Sequence, residues 1–534
     1  MWFFKLWILI VICLNLCCMN IDISYGEVSL CPPHPDLLEK LKKEGRLEEI
    51  SKLLAKKPKF IDRPLPITKA VIGTKSAIVL GIQFSDKNAT TLLSHFSDLL
   101  FSKGTYSSGS MRDYYCESSY GKLDIIGEIS GWYTADNNYS FYIPIEKGPQ
   151  LAREAINKAD PSVNFAQYDK DNDGFVDLLI VVHAGKGGEE GGNDIWSHMG
   201  KLSSPIVVDN KYITAYAMCP ENGKIGVFSH EVGHLLGLPD LYDTDNDSAG
   251  IGNWSLMASG IWNNNGVTPA HPDAWCKIQM GWVTPNMVTT DINNAQIPQV
   301  ETYPTIYKLW KDGVPDKEYF LVENRQKVGF DSYLPGSGLL IYHVDEKIKN
   351  YYYTNSNEWN KHQWYPGLNP LPYNHYLVAV EQADGNWELE KNINRGNSGD
   401  TYYSNRIFND YSIPDSKDYY GNSTHIGVAN ISNSQSTMTA DLLINPSPLP
   451  FPLIIVYPNP LYYSKDKQIT FAHLPDNSII KIFTIAGELV TTIRGDNVTG
   501  NARWQPAGIA SGIYLYVIES NLEVIKSGKL GILR

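Results

Sequence analysis

The chain is short of positive charge. Against 58 Asp and Glu it carries 45 Lys and Arg, a net charge of −13 over 534 residues. Nucleic acids and anionic membranes attract clustered cations, so neither is an expected partner. Cysteine is also sparse, at seven, and Cys13, Cys17 and Cys18 lie at the extreme N-terminus. The remaining Cys31, Cys116, Cys219 and Cys276 form an even set, which in an exported chain permits one or two disulfides. Long apolar runs are missing except near the start. There Lys5 precedes residues 6–14, too short to span a bilayer and of signal-sequence length. A secretory signal over residues 1–26 is expected, cleaved after Gly26. Lipidation at Cys17 is the rival, disfavoured because Asn15 and Leu16 are not the small residues such a site wants. No internal repeat or low-complexity tract is present. The chain is instead 43% hydrophobic, with 33 Tyr and 13 Trp, and too long for one core, so several packed domains are expected.

The most informative segment is His230-Glu231-Val232-Gly233-His234-Leu235-Leu236-Gly237-Leu238-Pro239-Asp240. In a helix, His230 and His234 fall one turn apart on one face and can share an ion. Phe228, Val232, Leu235 and Leu236 fall opposite, toward a core. Glu231 lies beside the metal without ligating it, where it can act as general base toward an attacking water. Gly237 permits a left-handed turn and Pro239 discourages further helix, so Asp240 can swing back as third ligand. An H-E-x-x-H pentad alone also occurs on structural helices. The extension through Gly237 and Asp240 argues against that reading. So does Met257, in the turn-like WSLMASG, which suits a methionine turn beneath zinc ligands. A glutamate third ligand from a later helix is disfavoured, since the next glutamate, Glu301, sits in a poorly helical stretch.

Several blocks carry a family likeness: residues 77–86 (AIVLGIQFSD), 110–133 (SMRDYYCESSYGKLDIIGEISGWY), 168–187 (YDKDNDGFVDLLIVVHAGKG), 239–243 (PDLYD), 338–345 (GLLIYHVD) and 381–384 (EQAD). With the zinc motif they resemble the immune-inhibitor-A-like secreted zinc metallopeptidases over roughly residues 75–445. The resemblance implies ligands at His230, His234 and Asp240, a base at Glu231 and a turn methionine at Met257. Asp243 stays open as an alternative third ligand.

Asp169, Asp171, Asp173 and Asp177 occupy loop positions one, three, five and nine, with Gly174 at six, as in calcium loops. Ile180 replaces the glutamate an EF-hand needs, and residues 178–182 read as strand, so a calcium loop of another type is expected, with a solvated acidic turn as the alternative. Asp243, Asp245, Asn246 and Asp247 form a second oxygen-rich turn. His183, His198, Trp196 and Trp254 read as structural, and Tyr242 as a weak candidate oxyanion donor.

The expected organisation is a signal (1–26), a propeptide (27–74) with a helical stretch over 37–57, an α/β metzincin-like catalytic domain (75–285), a β-rich accessory domain (286–445), a linker (446–456) and an immunoglobulin-like β-sandwich (457–534). Cys31, in CPPHP, could ligate the zinc and hold a zymogen silent, with an ordinary cysteine as the alternative. The final module resembles the sorting domains of type nine secretion in YPNP, GELV, SGIYLY and GKLGILR. The expectation is therefore a secreted zinc endopeptidase acting on proteins or peptides. Zn2+ is its cofactor, Ca2+ a stabiliser, and the secretion machinery a partner of its last domain. A zinc amidohydrolase on a non-peptide substrate, or an adhesive surface protein with a vestigial metal site, are the alternatives. Cleavage preference and oligomeric state are not legible.

Overall fold

The computed structural model describes residues 28–50, 69–243, 246–348, 375–404, 406–444, 454–475, 477–496, 500–520 and 523–534. The expected signal, the far part of the propeptide helix, Asp245 and most of the linker lie outside the described residues. The chain divides into two compact units.

The first is built on strands β1 (Val28–Leu30), β2 (Gly73–Gln83), β3 (Leu123–Thr134), β4 (Leu178–His183), β5 (His198–Val208) and β6 (Lys211–Pro220). Their order in one sheet is β1-β5-β6-β4-β2-β3. β2 runs parallel to β3 and β4, and β4 parallel to β6, whereas β5 and β1 run antiparallel to their neighbours. The central β4, LLIVVH, is buried along its whole length, as a parallel strand covered on both faces must be. Helices α1 (Pro35–Glu44), α2 (Leu93–Phe101), α3 (Met111–Ser118), α4 (Gly148–Ala159) and α5 (Ile225–Leu235) accompany it. Leu151, Ala155 and Ile156 of α4 pack with Ile78, Leu80 and Ile82 of β2 and Leu179 and Val181 of β4.

Two expectations need correction here. The helical stretch 37–57 is not continuous, because Gly45 takes φ +67° and its N–H turns back to the carbonyls of Leu41 and Lys42, ending α1 at Glu44. Disulfides are absent among the described residues: Cys31, Cys116, Cys219 and Cys276 are all free thiols. They sit on separate elements: Cys31 just beyond β1, Cys116 on α3, Cys219 on β6 and Cys276 on a later helix, Ala274–Gln279.

The second unit contains α6 (Ala274–Gln279) and strands β7 (Asn286–Val288), β8 (Ile292–Pro298), β9 (Tyr307–Leu309), β10 (Glu318–Arg325), β11 (Gly338–Asp345), β12 (Val378–Val380), β13 (Phe408–Asn409), β14 (Gly427–Ala429) and β15 (Thr437–Leu443). They form two sheets, β12-β11-β10-β9-β7 and β13-β14-β15-β8, around one apolar core. β10 and β11 are buried at every residue, including charged ones. Arg325, fully buried, answers that cost with several partners. It donates to Asp331 at 2.9 and 2.8 Å, to Glu323 at 3.1 Å and to the Trp254 carbonyl at 3.1 Å.

The last module comprises β16 (Ile455–Tyr457), β17 (Leu461–Tyr462), β18 (Ile469–Ala472), β19 (Ile479–Thr484), β20 (Leu489–Arg494), β21 (Ala502–Trp504), β22 (Gly512–Ser520) and β23 (Glu523–Leu533). Sheets β16-β18-β21 and β17-β23-β22-β19-β20 enclose a common core. Along β22, Tyr514, Tyr516 and Ile518 point in and their neighbours out, the period-two pattern of a half-buried strand. β16 starts at Ile455, inside the expected linker. Among the described residues no helix is long and apolar enough to cross a membrane.

Candidate metal centre

α5 carries two of the proposed ligands, His230 and His234, but it is not a surface helix with one wet face. Residues 225–234 are all buried, and Leu235, expected in the core, is only half-buried. The helix runs against β6 with its charged and polar groups enclosed. Such groups need defined partners, because burial without them is costly.

The Nε2 atoms of His230 and His234 lie 3.1 Å apart. His234 Nδ1 donates to the Leu238 carbonyl at 2.8 Å, which fixes the tautomer and leaves Nε2 as a bare lone pair. That carbonyl is available because the helix ends as the sequence predicts. Gly237 takes φ +106°, and the Leu238 N–H returns to the Gly233 carbonyl. The same short run delivers Asp240, buried, so that one ligand atom from each of His230, His234 and Asp240 lies within 4.8 Å of the others. Glu231 is fully buried too.

Two residues outside the motif support it. The Tyr115 hydroxyl, on α3, donates to the Ser229 carbonyl at 2.6 Å, just before His230. Burial pushes that hydroxyl well above its ordinary value, and the Glu231 charge adds to the push. Burial likewise raises the Cys219 thiol, reinforced by Glu231 and Glu189, which keeps it protonated and inert. Tyr115 lies 114 residues before Ser229, and nothing in its spacing marked it.

Met257 is fully buried, and its carbonyl accepts the Leu241 N–H at 2.7 Å, tying the methionine turn to the residue after Asp240. Ser255 steadies that turn, donating to Asp273 at 2.7 Å. Asp243, the alternative third ligand, instead accepts from Ser248 N and Oγ at 3.0 and 2.6 Å.

The acidic loop is partly assembled. Asp169, Asp171 and Asp173 offer oxygens within 4.8 Å of one another, but Asp177 stands outside that group. It pairs with Lys75 at 3.0 Å and accepts the Ser76 N–H at 2.9 Å. Lys75 also reaches Asp171 at 2.5 Å, and Lys211 reaches Asp169 at 2.6 Å. Burial would raise the Asp169 carboxyl, yet Lys211 and the amides of Gly174 and Asp173 outweigh it and hold it below the usual range.

His183 and His198 are buried and hydrogen-bonded to neighbouring groups. His183 Nδ1 meets the Ala184 carbonyl at 3.0 Å. His198 bridges the Trp196 carbonyl at 2.8 Å and the Tyr216 hydroxyl at 3.1 Å. Burial drops both to about 4, so they stay neutral. Tyr242 is buried. Cys31 is buried where β1 meets β5: its N–H donates to Ser197 O at 2.9 Å and its carbonyl accepts from Trp196 Nε1 at 2.7 Å.

Comparison with known proteins agrees with this geometry. Residues 83–283 match the model for the immune inhibitor A peptidase M6 catalytic domain, and residues 455–532 that of a secretion system C-terminal sorting domain. The pre-pro-metalloprotease PrtV of Vibrio cholerae serotype O1 is 33% identical over 233 residues, covering 34% of this chain and 25% of PrtV. Immune inhibitor A of Bacillus thuringiensis subsp. alesti is 30% identical over 203 residues, 30% of each chain. The chain thus spans about a quarter to a third of the length of these relatives. A solved structure of PorZ, a surface component of the type-IX secretion system of Porphyromonas gingivalis, aligns at a TM-score of 0.15 with 21% identity, over 21% of this chain and 15% of that one. The sorting domain marks an extracellular protein. Residues 83–283 are a peptidase M6 domain of the immune inhibitor A type, joined to a C-terminal secretion sorting domain.

Proposed function

We propose that the protein is a secreted, zinc-dependent endopeptidase with a metzincin-like catalytic domain and Glu231 as its general base. The observation that carries this reading is the His230–His234–Asp240 group, two imidazoles and one carboxylate converging within 4.8 Å. Two nitrogens and an oxygen suit zinc, and three protein ligands leave a coordination position for the reaction. Bound there, zinc would polarise the scissile carbonyl and acidify the attacking water. Glu231 takes the proton from that water as it attacks and returns it to the leaving amine. His234 keeps its ring aimed through the Leu238 carbonyl, and Tyr115 holds the first turn of α5 in place.

The same reading takes residues 27–74 as a propeptide, with Cys31 as a thiol able to hold the metal in a zymogen. β1 lends support, because it caps the open edge of β5 and so blocks a strand edge where an extended peptide could add. Asp169, Asp171 and Asp173, with Asp177 nearby, serve as a calcium loop. Residues 75–285 act as the catalytic domain and 286–445 as its β-rich support. Residues 457–534 form an immunoglobulin-like module read by the secretion machinery.

The deciding experiment measures zinc content and casein cleavage of the secreted protein before and after chelation, with N-terminal sequencing of the mature chain. Activity that survives complete zinc removal would end the proposal.

A further inference from the structure

His230 and His234 take their places from helix geometry, but Asp240 lies beyond the glycine turn that ends α5. Its position must come from what grips the chain beside it. Leu241, the next residue, is held by both backbone groups. Its N–H donates to the Met257 carbonyl at 2.7 Å, and its carbonyl accepts the Ile251 N–H at 3.1 Å. Gly250 permits that approach, since a Cβ there would lie 2.3 Å from Leu241 O. The aim of Asp240 therefore depends on residues 250–257, the support behind a ligand.

Three consecutive residues of that stretch are tied down from outside it. The Trp254 carbonyl accepts from Arg325 Nη1 at 3.1 Å, and Ser255 Oγ donates to Asp273 at 2.7 Å. The Leu256 N–H donates to the His271 carbonyl at 3.2 Å. Asp331 closes the circuit, accepting from Arg325 Nε and Nη2 at 2.9 and 2.8 Å and from the His271 N–H at 2.8 Å. A continuous hydrogen-bonded path thus runs from Trp254 through Arg325, Asp331 and His271 back to Leu256. The His271 ring is fixed in turn, 3.0 Å from Glu117 and 3.2 Å from Lys277. The Arg325 and Asp331 side chains are wholly buried. Burial would raise the Asp331 carboxyl, yet the Arg325 charge outweighs it and holds it below the usual carboxylate range. The pair therefore stays ionised, and its two parallel bonds fix geometry as well as energy.

We infer, on the metallopeptidase reading of His230, His234 and Asp240, that Arg325 and Asp331 are positioning residues for Asp240, acting through the turn from Trp254 to Met257. The β-rich region then takes part in the metal centre. Arg325 ends β10 and Asp331 lies six residues on, both beyond residues 83–283 that match the peptidase domain. Asp240, the turn and the Arg325–Asp331 pair belong to the same compact unit.

Cobalt tests this on the full chain, because its visible absorption reports the ligand set and needs no catalysis. Titrating the zinc-stripped parent with Co2+ should give a saturable visible band that His234→Ala abolishes. Arg325→Gln and Asp331→Asn should each shift that band and weaken cobalt binding by about 10–100-fold, the usual loss when support behind a ligand is removed. His343→Gln, which breaks a buried ion pair elsewhere in the same unit, should leave band and affinity as in the parent. Near-UV dichroism shows which variants are folded. Asp331→Asn, which keeps an oxygen for the His271 N–H, carries the test if Arg325→Gln is not. Folded variants at Arg325 and Asp331 with parental band and affinity would overturn this inference alone. So would an equal loss in His343→Gln, the mark of a general loosening. A parental band that survives His234→Ala would instead overturn the metal reading itself.

Discussion

The Nε2 atoms of His230 and His234 stand 3.1 Å apart inside a helix closed to water, with His234 Nδ1 already committed to the Leu238 carbonyl. That arrangement favours a shared cation over two separate imidazoles. Zinc should accordingly raise thermal stability, by about 2.7 kcal/mol at a hundredfold excess over its dissociation constant. His234→Ala should abolish the zinc-dependent rise in Tm, measured by calorimetry with and without chelator. A rise that persists in the variant would place the metal elsewhere.

Glu231→Gln keeps the shape of the side chain and removes its basicity. Zinc content should remain that of the parent while casein cleavage falls by about 10²–10⁴-fold. Parental cleavage rates in the variant would remove Glu231 from the mechanism.

Tyr115→Phe deletes the hydroxyl that donates to Ser229 O at 2.6 Å and so removes one buried hydrogen bond from that carbonyl. The expected cost is about 1–3 kcal/mol, read from urea unfolding of the zinc-loaded protein. An unchanged midpoint would mean the carbonyl finds another donor.

His343 sits between Glu318 and Glu381, at 3.2 Å from each, with Tyr419 stacked on its ring at 3.9 Å. Burial opposes its charge, but hydrogen bonds to the two carboxylates outweigh it and raise the ring to about 9. Burial also opposes charge on Glu318, and the His343 bond outweighs it to bring that carboxyl to about 2. A raised base stabilises fully below its ordinary 6.5 and loses that contribution as pH climbs through 9. The depressed acid stabilises fully above its ordinary 4.5 and loses its contribution as pH falls toward 2. Glu381, raised by burial, runs opposite to Glu318: its contribution is complete below its ordinary 4.5 and fades as pH rises above it. The His343–Glu318 pair therefore stabilises most between about pH 4.5 and 6.5. His343→Gln should cost about 3 kcal/mol near pH 6 and visibly less near pH 10, by urea titration at both. Equal costs at the two values would show that the ring is neutral.

Calcium should raise Tm through the 169–177 loop as well. Removing Lys75 as competitor, with Lys75→Met, should tighten calcium binding at that loop several-fold by calorimetry, because the cation no longer displaces an ion pair. Weaker binding in that variant would show that Lys75 orders the loop instead of competing for it.

The His230–His234–Asp240 group was legible because its members lie within eleven residues. One helical turn puts His230 above His234, and a glycine turn returns Asp240, whatever the rest of the chain does. The buried strands β4, β10 and β11 were legible for a related reason, since their apolar runs record burial directly. Loop spacing alone says nothing of Lys75, which arrives from β2 about a hundred residues earlier to pair with Asp177. Gly45 marks the helix break only as a residue type, while the charged periodicity around it reads as one continuous helix.

The sequence by itself determined the donors, their order and the local turn that gathers them, together with the export module at the end of the chain. Tertiary structure alone decided what surrounds them: Tyr115 under Ser229, four thiols left apart, Asp400 against Trp254. The two contacts join residues more than a hundred positions apart. They depend on which strands become neighbours and how side chains pack between them, and no spacing rule along the chain encodes that.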